Sequence, residues 1–426
     1  MKLYKRENYL KKIRGFYHDA DMIKVLTGVR RCGKSSLMQT IIEELKELGI
    51  PEGNLIRIDL DSRQYKDIKT PKQLESKIDE YADIHGLKYL FIDEIQNVKG
   101  FEEVINAFRG EGDYSIFITG SNSYLLSGEL ITKLTGRYIE FEMMPLSFEE
   151  YIDMKKFYGK EVSYNLTDEL DRYLIEGGFP KTIFYDNPDD KRTYIKSVIG
   201  EILEKDIKHR VKIRNVSVFE KVQTYLINNF GSTTSLKSIL KELHKSGMNI
   251  KRETLNRYIN ILMDAKIIYE CKRFDLKSKK SINGEQKYYL SDMGFYFATN
   301  TDNRINYGPA LENVVFNYAK SKGYDISIGR IGKLECDFIM RDNMNNYGYV
   351  QVTMTTMLNR ETEDREYAPL EMIKDNYPKY VLTRNDMIQK RNGIIHENIP
   401  QFMAAGKLFS GCSCITTTRN SCFSSE

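Results

Sequence analysis

The chain has 426 residues, of which 29% are charged and 41% are hydrophobic, and a formal net charge of +4. This length is enough for roughly two to four domains, and so small a net charge excludes a uniformly basic or acidic protein. No run approaches the ~18 apolar residues of a membrane span, and six cysteines in so long a chain do not form a disulfide framework. The basic N-terminus has no apolar core, so it does not resemble a secretory signal. We therefore expect a cytoplasmic protein with no membrane partner.

A phosphate-binding loop follows the first predicted strand. The strand is the apolar run 23–27, and residues 28–36, GVRRCGKSS, match G-x-x-x-x-G-K-[ST] at every fixed position. Glycines let the backbone curl, so that successive N–H groups point into one concavity at the start of the next helix, where phosphate oxygens bind. Lys34 is expected to reach the outer phosphates, and the Ser35 hydroxyl to bind Mg²⁺. The predicted nucleotide-binding residues are Gly28, Val29, Arg30, Arg31, Cys32, Gly33, Lys34, Ser35 and Ser36. A chance match in a surface loop is the alternative, which the strand–loop–helix order disfavours.

Two carboxylates end a later apolar strand. Residues 55–60 form the second predicted strand, a polar helix follows Pro71, and the third strand, 88–93, ends at Asp93 and Glu94. A P-loop nucleotidase needs an acid at the tip of a neighbouring strand to hold Mg²⁺. Asp93 suits that task, and Glu94 is placed to orient and deprotonate an attacking water. A buried strand that ends in a solvated acidic turn is the alternative.

Polar residues also follow the fourth predicted strand, 114–119. Alternating strands and helices predict a mostly parallel sheet covered on both faces, and ligands bind beyond the carboxyl ends of such strands. Ser121 and Asn122 are therefore candidate sensors of the terminal phosphate or the water, although both residues also suit a simple turn. Arg137 opens a fifth strand. It is a candidate for neutralising transition-state charge on the same or a neighbouring subunit, and a plain salt bridge fits equally well.

Residues 145–212 are predicted to be a mostly helical lid on this core. The motifs up to this point occur in a characteristic order: GVRRCGKSS, FIDEIQ, ITGSNS, LTGR, MPLSFEEY and EGGFP. The set resembles prokaryotic AAA-type P-loop ATPases, close to the AAA+ superfamily, that carry a C-terminal restriction-endonuclease-like domain. The likeness covers most of the chain up to about residue 400. It implies a module that binds ATP and hydrolyses it, whereas the biological task of these ATPases is mostly unassigned.

The middle of the chain changes character. Helices are predicted at 218–229, 234–246 and 251–264, and strands at 266–270 and 287–290, an order that indicates a winged helix. Between residues 251 and 280, nine Lys or Arg stand against four Asp or Glu, a net charge of +5. So local a positive charge is typical of contacts with nucleic-acid phosphates.

We therefore expect duplex DNA as a partner of the winged helix. The predicted contacts are Arg252, Arg257 and the loop from Lys277 to Lys280. A winged helix that serves only as a spacer or as a protein-docking module stays open.

The last region is α/β again, and the resemblance gives it a nuclease-like fold. Enzymes of that fold use two acids, or an acid and a glutamine, as metal ligands and a lysine two residues after the second. Glu312, Asp337 and Gln351 resemble the metal-binding set, but the lysine position is Thr353. We therefore expect no nuclease activity, unless Lys333 or Arg365 takes over the role. Asp337 and Gln351 are equally compatible with plain polar strand ends.

These inferences combine into one architecture. The fold class is α/β: a P-loop NTPase parallel sheet with a helical lid, a winged helix and an endonuclease-like domain. The predicted boundaries are 1–144, 145–212, 213–300 and 301–400, with a poorly ordered tail at 401–426 whose cysteines, Cys412, Cys414 and Cys422, are free thiols rather than a metal cluster.

The predicted function is a switch or motor driven by ATP and Mg²⁺, with homo-oligomers as one possible form. The alternative is a regulatory or defence-related DNA-binding module that uses ATP mainly as a structural ligand. Glu94 separates the two, because a pure binder needs no base beside the magnesium acid.

Overall fold

The structure is a computed structural model, and it describes residues 2–120, 134, 136–208, 213, 215–278, 280–300 and 306–409. Within these ranges, no helix is both long enough and apolar enough to cross a membrane.

The N-terminal domain is a five-stranded sheet in which every pair of neighbouring strands is parallel, in the order β2-β3-β4-β1-β5. Its strands are β1 (Ile23–Gly28), β2 (Leu55–Asp59), β3 (Lys88–Asp93), β4 (Tyr114–Thr119) and β5 (Tyr138–Met143). Its helices are α1 (Glu7–Ile13), α2 (Lys34–Glu47), α3 (Pro71–Asp79) and α4 (Phe101–Glu111). Every residue of β1, β3 and β4 is buried, as expected for parallel strands covered on both faces. The carboxyl ends of these strands therefore meet at one edge.

A helical segment follows the sheet, as predicted. It consists of α5 (Phe148–Phe157), α6 (Leu166–Glu176), a short 3₁₀ turn (Pro180–Phe184) and α7 (Pro188–Glu201), which continues as a π-helical stretch (Ile202–Lys208). The Ser147 side chain caps α5, and Glu150 returns the bond to the backbone of Ser147, a capping box that fixes where the helix begins.

Three helices and a hairpin come next, in the predicted order. They are α8 (Val216–Asn228), α9 (Leu236–Lys245), α10 (Arg252–Asp264), β6 (Ile268–Asp275) and β7 (Lys280–Leu290). Both strands are longer than the sequence predicted, because residues 268–275 and 280–290 keep pairing past the apolar runs.

The remaining strands join this hairpin in one sheet of eight strands, in the order β12-β13-β11-β10-β9-β8-β6-β7. They are β8 (Asp325–Ile331), β9 (Leu334–Arg341), β10 (Tyr347–Thr353), β11 (Lys379–Thr383), β12 (Lys390–Arg391) and β13 (Ile394–Asn398). The accompanying helices are α11 (Gly294–Thr299), α12 (Tyr307–Lys322), α13 (Arg360–Met372) and α14 (Ile399–Ala404). Since β6 pairs in parallel with β8, the sheet crosses the boundary predicted at residue 300.

Helix α13 contains a proline, and one local prediction in this region was wrong. The helix continues through Pro369 to Met372. The proline removes one helix hydrogen bond, but Tyr367 and Leu370 are fully buried and hold the turn. Residues 401–409 were expected to be poorly ordered, yet α14 lies there and Phe409 is buried against other aromatic rings. Residues 410–426, with the three tail cysteines, lie outside the described residues.

Candidate active site

The phosphate loop is shaped by its glycines and by Lys34. Gly28 has φ +138°, and a Cβ at that position would lie 2.2 Å from the Met143 carbonyl oxygen on β5, so no other residue fits. Gly33, with φ +109°, begins α2. The Lys34 side chain is buried, and its ammonium donates hydrogen bonds to the carbonyl oxygens of Gly28 (2.9 Å) and Val29 (3.3 Å). These bonds hold the ammonium group against the loop backbone.

A buried arginine of the N-terminal segment, Arg6, binds the backbone of the loop. Arg6 donates to the carbonyl oxygens of Cys32 (3.0 Å) and Met144 (2.9 Å) and pairs with Glu150 at 2.6 Å. The Cys32 side chain is fully buried in the core, so its contribution to the site is the backbone alone. No sequence pattern singles out Arg6, because Met144 and Glu150 lie far along the chain.

The two acids of β3 stand beside the end of β4. Asp93 is buried and accepts a hydrogen bond from the Thr119 hydroxyl. Glu94 has a positive φ of 56°, its backbone N–H donates to the Thr119 oxygen at 3.3 Å, and its carboxylate accepts from the Gln96 amide. Thr119 was missed by sequence reasoning. It could have been found from its position, because it is the polar residue that ends the buried strand β4.

One cleft of about 680 Å³ is lined by the phosphate loop and by these acids together. The structure therefore brings Lys34, Ser35, Asp93 and Glu94 to one place, and the Ser35 side chain is exposed to the cleft. The N-terminus and the helical segment complete the lining with charged side chains, Lys181, Lys205 and Asp206, and with a set of apolar and aromatic ones: Leu3, Met154, Tyr158, Pro180, Phe184 and Tyr194.

Both arginines of the loop pair with acids of the helical segment. Arg30 makes two hydrogen bonds to Asp206, of 2.9 and 3.1 Å, and Arg31 makes contacts of 3.1 Å with Glu201. Burial disfavours the charge of Arg30, but the Asp206 carboxylate outweighs it and raises the pKa of Arg30. The sequence predicted that the loop faces phosphates; the side chains of these two residues instead connect it to α7 and its π-helical end.

The other predicted site residues are placed as follows. Ser121 and Asn122 lie outside the described residues. Arg137 precedes β5, its carbonyl oxygen accepts from Ile23 N–H at the start of β1, and its guanidinium donates to Asn106 at 3.0 Å. It therefore lies at the opposite end of the sheet from the phosphate loop of its own chain. Action on a neighbouring subunit stays a prediction.

A second polar cluster occupies the C-terminal sheet. The ammonium of Lys287, on β7, lies 2.8 Å from Glu312, 3.1 Å from Glu335 and 3.9 Å from Asp337. Burial, and then the Glu312 carboxylate, raise the pKa of Asp337 well above its ordinary value. Burial opposes the charge of Lys287, but the surrounding carboxylates raise its pKa.

Gln351 joins the same cluster from β10. Its side-chain oxygen accepts from the Asp337 N–H at 3.3 Å, and its amide donates to Glu366 at 3.0 Å. Of the two lysine substitutes considered from the sequence, Lys333 is exposed in the turn before β9. Arg365 borders the cluster, because it pairs at 2.8 Å with the Glu366 that Gln351 contacts. Lys287 was not singled out by the sequence. Among the described residues, no group of three or more His, Cys, Asp or Glu is arranged to hold a metal ion.

Comparison with known proteins identifies relatives along most of the chain. An uncharacterized protein of Haemophilus influenzae is 34% identical over 380 residues, which are 89% of this chain and 92% of that protein. Protein MJ1544 of Methanocaldococcus jannaschii, also uncharacterized, is 30% identical over 382 residues, 85% of this chain and 82% of its own length. This chain belongs to their family.

The N-terminal part of this chain matches an AAA domain. Residues 20–152 match the model described as an AAA domain, and residues 167–304 match one described as a domain of unknown function. The AAA match covers the phosphate loop, Asp93 and Glu94, and confirms the predicted P-loop ATPase fold of this part.

Solved structures show a partial likeness. The Walker-type ATPase PABY2304 of Pyrococcus abyssi is 17% identical, with a TM-score of 0.49, and the match covers 70% of this chain and 96% of that one. For AMPPCP-bound DnaA from Aquifex aeolicus the identity is 15% and the TM-score 0.32, over 62% of this chain and 90% of the other.

Proposed function

We propose that this AAA protein binds ATP, hydrolyses it with Mg²⁺ and works as a switch or motor. The observation that carries the proposal is the shared cleft, which gathers Lys34 and Ser35 from the loop and Asp93 and Glu94 from β3. Its volume of about 680 Å³ lies within the range of ligand pockets, about 300–1,000 Å³. The apolar and aromatic side chains of the lining suit the flat face of an adenine ring.

Each side chain has one role in this proposal. Lys34 neutralises charge on the outer phosphates, and Glu94 orients the attacking water and accepts its proton. The Ser35 hydroxyl and the Asp93 carboxylate are hard oxygen donors of the kind that Mg²⁺ accepts beside substrate phosphates. The bound ion supplies further neutralisation of the charge that develops during hydrolysis.

The test is the rate of ATP turnover by the purified full-length protein, with and without Mg²⁺. The Glu94→Gln variant should lose about 10²–10⁴-fold in turnover, the usual contribution of a general base, and Lys34→Ala should lose nucleotide binding or turnover. Glu75→Gln, an exposed position on α3, is the matched control and should be unaffected. Wild-type turnover by Glu94→Gln contradicts the assigned base. It favours a module that uses ATP as a structural ligand.

We also propose that α8, α9, α10 and the hairpin form a winged helix that binds duplex DNA. The support is the net charge of +5 between residues 251 and 280 and the order of three helices followed by a hairpin. The contacts assigned from the sequence are Arg252, Arg257 and the loop from Lys277 to Lys280, of which Lys279 lies outside the described residues. Arg252 and Arg257 are exposed on α10.

The C-terminal sheet is proposed to be nuclease-like and without nuclease activity. Thr353 stands where the resemblance expects a lysine, and the nearby ammonium of Lys287 is bound to Glu312 and Glu335. This neutralises acids that a metal ion would need. Plasmid and linear DNA incubated with Mg²⁺ or Mn²⁺ should stay intact. Cleavage by the wild type that disappears in Asp337→Ala would refute this assignment.

A further inference from the structure

A groove rich in positive charge lies between α9 and the start of α10. It has a volume of about 690 Å³. Its lining residues are basic except for one leucine: Lys237, Leu240, Lys241, His244, Lys245 and Arg252. Only Arg252 belongs to the DNA contacts assigned from the sequence, so the groove is a separate feature of the surface.

Most of this charge has no acidic partner. Lys245 pairs with Glu242 at 2.8 Å, and both side chains are exposed, so the pair contributes little. Within the described ranges, no ion pair forms at Lys237, Lys241 or Arg252, and no Asp or Glu lines the groove. Such a cluster repels itself, and a polyanion would relieve that repulsion.

The lysines form a regular row on the outer face of α9. Lys237, Lys241 and Lys245 recur every four residues, while Ile239 and Leu243 face the core. At a rise of about 1.5 Å per residue, the row is about 12 Å long. One strand of B-DNA carries a phosphate per ~3.4 Å of axis, so the row spans roughly three or four phosphates.

We propose that Lys237, Lys241 and Lys245, which we call the α9 lysine row, bind the sugar–phosphate backbone of duplex DNA in this groove. The proposal rests on the winged-helix function proposed above and adds a surface to it: α9 holds the backbone, beside α10. The contacts are lysine charges on phosphates, so they position the protein without reading sequence. An anionic membrane fits less well, because the groove offers only the half-buried Leu240 for insertion where a membrane-bound helix needs an apolar face.

The experiment measures binding of the full-length protein to a fluorescent 20-base-pair DNA by anisotropy, over a series of salt concentrations. The test variant is Lys237→Gln/Lys241→Gln/Lys245→Gln. The matched control is Lys66→Gln/Lys69→Gln/Lys72→Gln, which removes the same charge from exposed positions of the AAA domain. Circular dichroism checks that both variants fold.

The wild type should bind with a steep salt dependence, and binding by the control should match it. In the test variant, the slope of log affinity against log salt should fall by about 0.9 for each lost contact, or about 2–3 in all, for two unrelated DNA sequences alike. A duplex RNA of equal length should bind more weakly. The proposal is overturned if the test variant keeps the wild-type slope, if the control loses as much, if the RNA binds better, or if the row binds phosphatidylserine vesicles in place of DNA.

ATP turnover without DNA is measured on the same samples. If the wild type binds DNA but the test variant keeps the wild-type slope, the lysine-row proposal alone falls. If the wild type binds no DNA while turnover proceeds, the winged-helix proposal falls with it and the ATPase proposal stands. If lysine-dependent DNA binding persists without turnover, the ATPase proposal falls instead.

Discussion

Replacing Lys287 with methionine is expected to destabilise the C-terminal sheet strongly. Methionine keeps an unbranched apolar stem but removes the ammonium. The Lys287 side chain is 6% exposed and that of its partner Glu312 is 14% exposed. The substitution leaves Glu312 with the Tyr289 hydroxyl, at 3.0 Å, but without an opposite charge among the described residues.

The magnitude follows from this burial. Removing one member of a buried ion pair costs about 3–5 kcal/mol, because the other charge stays buried and unpaired. For a cooperative unit of 150–250 residues, each kcal/mol lowers Tm by about 2–4 °C, so the expected loss is about 6–20 °C. The double variant Lys287→Met/Glu312→Gln should recover part of the loss, because it removes the Glu312 charge that the single variant leaves unpaired. Glu335 keeps its pairing with Arg273, and Asp337 loses only the longer contact of 3.9 Å.

The assay is thermal and urea unfolding of the wild type and the variants. Lys272→Met is the matched control: the residue lies on the neighbouring strand β6, its side chain is 71% exposed, and its pairing with Glu270 is loose, at 3.6 Å. It should change the free energy of unfolding by less than about 1 kcal/mol. If Lys287→Met lowers the free energy of unfolding as little as Lys272→Met does, the cluster does not stabilise the contact between the hairpin and the C-terminal strands, contrary to what its distances indicate.

Two further predictions concern the helical segment and its contact with Asp292. Asp206→Asn breaks the bidentate pair with Arg30 and should lower the free energy of unfolding by about 1–3 kcal/mol. Glu201→Gln should lower it by less than about 1 kcal/mol, because the side chain of its partner Arg31 is 52% exposed. Equal losses for the two variants in urea unfolding would contradict this difference. Burial raises the pKa of Asp292 from 3.8 to about 7, although it accepts hydrogen bonds from the N–H groups of Gly178 and Gly294. Its folded state binds the proton more tightly, so this group's contribution to stability is full below about pH 4, declines as pH rises and levels off above about pH 7. Unfolding of wild type and Asp292→Asn at several pH values should show this decline as the difference between the two, and parallel pH profiles would refute it.

Local patterns were enough to predict the AAA part. The loop 28–36 and the Asp93–Glu94 pair depend on short-range rules, namely a glycine-bounded turn before a helix and acids at the end of a buried strand, and the structure places them in one cleft. The two glycines of EGGFP entered the prediction only as part of a motif. The structure gives the reason they are glycines: a Cβ on Gly177 would lie 2.0 Å from the Asp292 carboxylate, and one on Gly178 would lie 2.4 Å from the Leu146 carbonyl oxygen.

What the sequence could not reveal depends on partners far apart in the chain. Arg6 meets Glu150 across 144 positions, and Arg30 meets Asp206 across 176. The lysine of the C-terminal cluster comes from β7, 25 positions before Glu312, so no local pattern near Thr353 points to it. Likewise, the pairing of β6 with β8 carries no local signature. Only the tertiary arrangement merges the hairpin with the last domain.

The most direct measurement is the identity of the nucleotide that stays on the Glu94→Gln protein. The purified variant is mixed with ATP and Mg²⁺, separated from free nucleotide and analysed by chromatography, beside the wild type and Lys34→Ala. A hydrolysing AAA site with Glu94 as its base predicts bound ATP on Glu94→Gln, ADP on the wild type and no nucleotide on Lys34→Ala. ADP on Glu94→Gln in the same amount as on the wild type would contradict the assignment of the base, and equal binding by Lys34→Ala would contradict the assignment of the site.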